Sequence, residues 1–440
     1  MRILLVNPPV YDFACFDFWL KPLGLLYIGS YLKENNHKVE LFDFMDRHSH
    51  YLKKRLKEKD FGTGHFRKTK TKKPHSLQDF ERQYYRFGVD LEKFTEKILK
   101  EKYDFIFITS MMAYWYLGVW EVIETVREFS SDSKIVLGGV YARLMTEHAQ
   151  SLKPDVVFSG DLRSFEEFCN NRAGINIEKP FGYEDLVPLY ELYDDNKCAA
   201  ILTSLGCPLE CTHCSVRNLN PKFVPFPIDS VLKQLDYLES IGIADVAFYD
   251  DAILHNKENH FIPLMKRVIE KKYKMRFNFS NGLHARYIDD EVASVIAKLN
   301  CGVIAVSVES MSGSFLKKNK GKTTVIDSEM AIESLLNAGV ENKNLYAYMM
   351  VGSEDETLED IIMTIESLRK KKVRVLINEM SPSPGSKLYE KNKHLFRDPL
   401  FTNNNVYPSM FKYDTDTVES IKTHVKKINR ELHEQFKNNK

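Results

Sequence analysis

No apolar run in this sequence approaches the roughly 20 residues needed to cross a bilayer, so a membrane-spanning role is not expected. Neither sign of charge is in excess. Lys and Arg total 62 against 61 Asp and Glu, a net charge of +1, which does not single out nucleic acid as a partner. The opening Met1–Pro9 has an apolar stretch of only four residues and no small-residue cleavage site after it. That is not the layout of a secretory signal, and the expectation is a cytoplasmic protein without a membrane partner. Cysteine is scarce: seven in 440 residues, at positions 15, 169, 198, 207, 211, 214 and 301. An odd, uneven set excludes a disulfide framework and points to metal or redox chemistry plus buried thiols. What the chain does have is 43% hydrophobic and 28% charged residues, the composition of globular material, at a length that suits two or three domains.

Three of the seven cysteines fall within eight residues, in Gly206-Cys207-Pro208-Leu209-Glu210-Cys211-Thr212-His213-Cys214. With so few cysteines, a C-x3-C-x2-C pattern should arise by chance about 0.002 times per chain. Thiolates are soft ligands for iron–sulfur clusters or zinc. Structural zinc normally takes four protein ligands, and the nearby fourth candidates are Cys198 and His213, the latter awkwardly adjacent to Cys214. A [4Fe–4S] cluster also usually takes four thiolates. Three on one short loop would leave one iron open to bind something else.

Hydrophobic periodicity divides the chain. Strands Ile3–Val6, Val39–Phe42, Phe105–Thr109, Ile135–Leu137 and Val156–Phe158 alternate with helical patterns at Leu23–Glu34, Val119–Phe129, Leu144–Leu152 and Phe165–Cys169. That order predicts a doubly wound parallel α/β sheet over about 1–190, with ligands outside the C-terminal strand ends. Residues 47–100 interrupt it. Between Lys53 and Lys73 lie ten Lys or Arg against Glu58 and Asp60, which fits a solvated insertion or a docking face for an anionic partner. Its aromatics Phe61, Phe66, Tyr84, Tyr85 and Phe87 predict that part of it packs.

From about 195 to 390 six further strands are expected: Ala199–Ser204, Val246–Tyr249, Phe277–Ser280, Ile304–Val308, Leu345–Val351 and Val373–Ile377. Helical patterns separate them, as in a partial six-stranded (β/α)6 barrel of TIM type whose working face is the C-terminal strand ends. Residues 391–440 read as a loop and a charged amphipathic helix near Thr417–Phe436 that caps the barrel.

The cysteine segment, placed after a first barrel strand, resembles the cluster loop of the radical S-adenosylmethionine superfamily. Later strand ends carry the resemblance over about 190 residues: Tyr249-Asp250-Asp251, Asn281-Gly282-Leu283, Glu309-Ser310, Met350-Val351-Gly352 with Glu354 and Glu356-Thr357, and Pro382–Ser386. His213 departs from the aromatic residue usual before the third cysteine. The resemblance implies that Cys207, Cys211 and Cys214 hold a [4Fe–4S] cluster. It also implies that His213, Asp250, Asp251, Asn281, Glu309, Ser310 and Gly352 contact S-adenosylmethionine. A low-potential donor such as flavodoxin or ferredoxin would reduce the cluster. Reductive cleavage would then give a 5′-deoxyadenosyl radical that abstracts hydrogen from a small-molecule or peptide substrate.

The first sheet resembles the cobalamin-binding domain that often precedes this barrel, through Ile3–Pro9, Pro22–Leu25, His37–Val39, Gly138-Gly139 and Val157–Gly160. Cobalamin contacts are then expected from Asn7, Pro8, Pro9, Ser110, Gly138, Gly139 and Tyr141. Residues 10–19 hold no histidine, so no protein imidazole for cobalt is expected. The reading that follows is a cobalamin-dependent radical enzyme methylating an unactivated carbon. Its alternatives are a radical enzyme without cobalamin doing rearrangement, cyclisation or C–C bond chemistry, with the first sheet kept as scaffold, and an iron–sulfur regulatory or electron-transfer protein. A nucleic-acid role for the basic insertion is not the expectation.

Overall fold

A computed structural model describes residues 1–182, 187–195, 197–318 and 323–438. Clustering of contacts divides the chain into two compact units. The first comprises Met1–Ile201, Asp229–Ile243 and Lys393–Phe401, and the second Leu202–Ile228, Ala244–Asn392 and Thr402–Lys440. Among the described residues no helix is long and apolar enough to cross a membrane.

The first unit holds five parallel strands: β1 (Arg2–Asn7), β2 (Lys38–Asp43), β3 (Phe105–Ile108), β4 (Lys134–Leu137) and β5 (Val156–Val157). They lie in the order β5-β4-β3-β1-β2. Alternate side chains go to opposite faces. Leu4, Val6, Ile106, Ile108, Ile135 and Leu137 pack on one side, and Ile3, Leu5, Phe105, Phe107 and Val136 on the other. Both faces are therefore covered, as a parallel sheet requires. The order reverses between β1 and β3. In a doubly wound sheet that reversal opens a crevice at the C-terminal ends of these two strands.

The insertion packs more than its charge implied. Tyr85–Phe87 pairs antiparallel with both Val10–Asp12 and Lys68–Lys70, and Leu91–Lys100 is a helix that buries Phe94 and Ile98. Phe66, Tyr84 and Phe87 are buried, while Lys68–Lys70 is wholly exposed. An edge strand that shows only Lys-Thr-Lys to solvent has no apolar alternation from which to be foreseen.

A six-stranded parallel sheet follows the chain: β6 (Cys198–Ile201), β7 (Asp245–Phe248), β8 (Arg276–His284), β9 (Cys301–Glu309), β10 (Leu345–Val351) and β11 (Arg374–Glu379), neighbours in that order. This is the expected partial barrel. The helices Val325–Asn337 and Leu358–Lys370 both start on capping boxes, Thr324 with Asp327 and Thr357 with Asp360, each satisfying two otherwise orphaned backbone donors. The helix Thr415–Asn438 buries Val418, Ile421, Val425, Ile428 and Leu432, a three-four spacing on one face. Asn429 of that helix bonds both the N–H and the carbonyl of Val375 on the edge strand β11. The C-terminal helix thus closes a sheet edge that would otherwise stay open.

Candidate active site at the barrel strand ends

The cysteine loop begins six residues beyond β6. Gly206 precedes Cys207 with φ +80°, and a Cβ there would lie 2.4 Å from the Lys222 carbonyl oxygen. Only glycine takes this turn without strain. Cys207 is buried, Cys211 half-buried and Cys214 exposed. The Val216 N–H donates to the Cys214 sulfur at 3.5 Å. Beyond the cysteines the loop is tied to the segment after β11. Ser383 N–H donates to the His213 carbonyl at 3.1 Å and Leu388 N–H to the Thr212 carbonyl at 2.8 Å, and the Ser215 hydroxyl donates to the Pro384 carbonyl at 2.6 Å.

Zinc fits this loop poorly. Cys198 is buried within β6, and its thiol donates to the Gly62 carbonyl at 3.5 Å. Among the described residues no three His, Cys, Asp or Glu side chains are placed to hold a single metal ion.

A cavity of about 260 Å³ opens at the C-terminal ends of the strands, lined by His213, Ser280, Asn281, Ser307, Glu309, Tyr348, Met349, Met350 and Asn378. Four successive strands contribute to it, along with the cysteine loop. At the end of β9, Ser307 pairs with Tyr348 and Glu309 with the next residue, Met349. Val308 is thus an extra residue on β9. A bulge of this kind re-aims the side chain beside it, and Glu309 leaves the strand with φ +63°. A carboxylate residue held in the left-handed region costs about 1–2 kcal/mol, strain that persists where the fold over-determines it and clusters at working sites. The Ser280 hydroxyl is buried against the cavity with no partner in the protein. A buried polar atom without a partner calls for one from a ligand or water. The cavity lies beside the cysteine loop, which contributes His213 to its lining.

The residues expected there divide into two groups. His213, Asn281 and Glu309 line the cavity. Asn281 also donates its amide to the Tyr249 carbonyl at 2.9 Å. Ser310 instead is buried, accepting the Ser312 N–H at 3.1 Å and lying 3.2 Å from the Thr364 hydroxyl. Gly352 gives its N–H to Glu356 at 2.8 Å. Asp250 is 4% exposed; its carboxylate is taken up by Thr203 and Ser204, and burial pushes it up to about 6. Asp251 lies on the exposed turn beside it, where the Gly206 N–H favours its charged form. Ser280, Ser307, Tyr348 and Asn378 join the cavity without having been singled out. Their signal was a polar residue near the end of an otherwise apolar strand.

Glu356 gives a pH test of this packing. It is 3% exposed, and burial pushes its carboxyl up to about 8, against the lowering effects of the Gly352 N–H and Lys412. The folded state keeps a proton that the unfolded chain releases near pH 4.3. Stability therefore falls as pH rises through this window, by at most about 1.4 kcal/mol per pH unit, and levels off above pH 8. Asp43, Asp250 and Asp251 are raised to about 6 and burial lowers His48, His65, His148 and His260, so the Glu356 contribution is read as the difference between wild type and variant from pH 6 to 8. Urea midpoints of the Glu356→Gln variant should be flatter than wild type across that interval.

In the first unit Asn7 donates its amide to Asp43 at 2.6 Å, and Tyr193 donates to the same carboxylate at 2.7 Å. Tyr141 is fully buried with its hydroxyl 2.5 Å from His148 Nδ1. Asn7 and Tyr141 are thus occupied by neighbours. Pro8, Pro9 and Ser110 line a space of about 10 Å³ together with Asn7 and Trp115, room for one water. Gly138 and Gly139 are half-buried after β4. Gly139 has φ +89°, and a Cβ on it would meet the Thr109 hydroxyl at 2.4 Å. The room a Cβ on Gly139 would need is thus taken by Thr109 and Ser110, in the segment that follows β3.

Comparisons with known proteins agree with this geometry. Residues 201–368 match the Radical SAM superfamily. An uncharacterized methyltransferase of Pyrococcus horikoshii is 24% identical over 218 residues, 48% of this chain and 46% of that protein. A threonylcarbamoyladenosine tRNA methylthiotransferase of Thermotoga maritima is 22% identical over 285 residues, 61% of this chain and 64% of its own length. The matched stretches therefore span less than two thirds of both curated relatives. Among solved structures, the radical S-adenosylmethionine methyltransferase TsrM of Kitasatospora setae, with cobalamin and a [4Fe–4S] cluster bound, has TM-score 0.63 at 15% identity, over 90% of this chain and 78% of that one. The cobalamin-dependent S-adenosylmethionine radical enzyme OxsB has TM-score 0.58 at 17% identity, over 90% of this chain and 56% of that one. At such identities the structural likeness speaks to fold.

Proposed function

From the match of residues 201–368 to the Radical SAM superfamily, we propose that this chain is a radical SAM enzyme that is cobalamin-dependent and transfers a methyl group to an unactivated carbon of a small molecule or peptide. One conjunction carries the reading. A cysteine loop beside a polar strand-end cavity occupies one unit, and a doubly wound sheet with glycine and proline turns at its switch point occupies the other. TsrM, similar in fold over 90% of this chain, has cobalamin and a [4Fe–4S] cluster bound, and both TsrM and the Pyrococcus protein carry the name methyltransferase.

When bound, a reduced [4Fe–4S] cluster and S-adenosylmethionine supply a 5′-deoxyadenosyl radical, and methylcobalamin supplies a methyl group. The protein's part is to hold and shield them. Cys207, Cys211 and Cys214 would ligate three irons and leave the fourth to the methionine moiety. Glu309, Asn281 and the unpartnered Ser280 hydroxyl would take its polar groups. Pro8-Pro9, Ser110 and Gly138-Gly139 would offer backbone to the corrin. The electron would come from a low-potential donor such as flavodoxin or ferredoxin.

The test is anaerobic purification with cobalamin supplied, followed by cobalt and iron assays and product analysis with S-adenosylmethionine and reductant. About one corrinoid per chain together with 5′-deoxyadenosine is the expected result. A full cluster and 5′-deoxyadenosine without any corrinoid would replace this reading with cobalamin-free radical chemistry.

A further inference from the structure

We propose that Asp250 is a positioning residue for the cluster loop, acting on the backbone that leads into Cys207. The proposal rests on the radical enzyme reading above and assigns Asp250 a task other than contact with the methionine amine. Both carboxylate oxygens lie 3.1 Å from the Thr203 amide nitrogen. The Thr203 hydroxyl donates at 2.7 Å and the Ser204 hydroxyl at 2.5 Å. On the other side of the same residue, His260 Nε2 donates to the Thr203 carbonyl at 3.0 Å. Next in the chain, the Gly206 N–H favours the charged form of Asp251. The end of β7 thereby grips residues 203 and 204, shortly before the first cysteine. Asp250 is 4% exposed and is absent from the lining of the strand-end cavity.

Bonds from neutral donors to an ionised acceptor are short and directional, so this grip fixes where the loop leaves the barrel. The loop's far end is fixed independently, by Ser383, Leu388 and the Ser215–Pro384 bond. Loss of the Asp250 grip should therefore loosen one anchor without unfolding the loop. Groups that orient metal ligands without touching the metal typically change metal retention by about 10–100-fold.

Two variants test this, Asp250→Asn and Thr203→Val, each reconstituted anaerobically as the full chain. Both are expected to change the EPR spectrum of the reduced cluster with no S-adenosylmethionine present. Both should also lose iron to a chelator about 10-fold faster than wild type. The double variant should be less than additive, because the Thr203 hydroxyl bond to Asp250 is common to both changes. An unchanged S-adenosylmethionine-free spectrum and chelation rate in Asp250→Asn, with only the KM for S-adenosylmethionine raised, would overturn the proposal in favour of direct contact. Should Asp250→Asn fail to fold, Thr203→Val decides alone, and a silent Thr203→Val also overturns it. Failure of the radical enzyme reading is distinguishable, since the wild-type protein itself would then hold no [4Fe–4S] cluster.

Discussion

Alanine in place of Cys207, Cys211 or Cys214, one at a time, should abolish cluster retention and reduce 5′-deoxyadenosine formation to background. Each thiolate is expected to carry one iron, and with one iron already given to the methionine moiety no spare protein ligand stands by. The other four cysteines are poor substitutes. Burial pushes the Cys169 and Cys301 thiols up to about 12 and raises Cys15 as well, so they stay protonated where a ligand must be a thiolate. The Cys198 S–H is engaged as a hydrogen-bond donor to the Gly62 carbonyl. The same substitution at Cys169 or Cys301 should therefore leave iron and sulfide content unchanged and affect only stability, by roughly 1 kcal/mol as a small buried side chain shrinks. Iron and sulfide per chain, measured beside 5′-deoxyadenosine, check both halves. Two irons retained by a triad variant with activity intact would sink the assignment of three ligands.

How far the site was legible follows from how local each signal is. The cysteine loop is read from eight consecutive residues, and the parallel strands from unbroken apolar runs such as Ile3–Val6 and Leu345–Val351. Glu309 and Asn281 were legible through the resemblance of their strand-end segments to the family's motifs. Asp250 shows the limit. Its place after β7 was evident, but whether a strand-end carboxylate faces a ligand or its own chain depends on hydroxyls 46 and 47 residues earlier, at Ser204 and Thr203. Ser310 and Gly352 are alike in this. Both lie at turns, and both are engaged by partners that only the folded chain brings near, Thr364 and Glu356. In the insertion the ladder Lys68–Lys70 has no apolar face, so its pairing with Tyr85–Phe87 left no periodic trace. Tyr141 was placed at the corrin by sequence position, yet the helix Gly139–Leu144 turns its ring inward, against His148. A motif in sequence locates a strand end well and a side-chain direction poorly.

The crevice of the first sheet offers the second large effect. Gly118 lies in the first turn of the helix Tyr116–Phe129, and a Cβ there would stand 1.8 Å from the Pro9 carbonyl oxygen and 2.9 Å from its carbon. Those atoms are backbone, in the turn that leaves β1, and cannot rotate aside. Alanine favours a helix interior over glycine by about 1 kcal/mol, but the overlap requires helix and turn to part by more than an ångström, at a cost of about 3 kcal/mol or more. The Gly118→Ala variant should melt roughly 10 °C lower. Gly24→Ala is its control. Gly24 is exposed near the start of the helix Leu23–Glu34 with nothing within 4 Å of the added carbon, so the change should be neutral or raise stability by about 0.5 kcal/mol. The displaced turn is Pro8-Pro9, which the proposed function sets against the corrin. Cobalt per chain should therefore fall in Gly118→Ala at temperatures where it remains folded, while iron per chain holds. Equal cobalt in folded Gly118→Ala and wild type would mean that the close approach of Pro9 to this helix serves the sheet's packing alone.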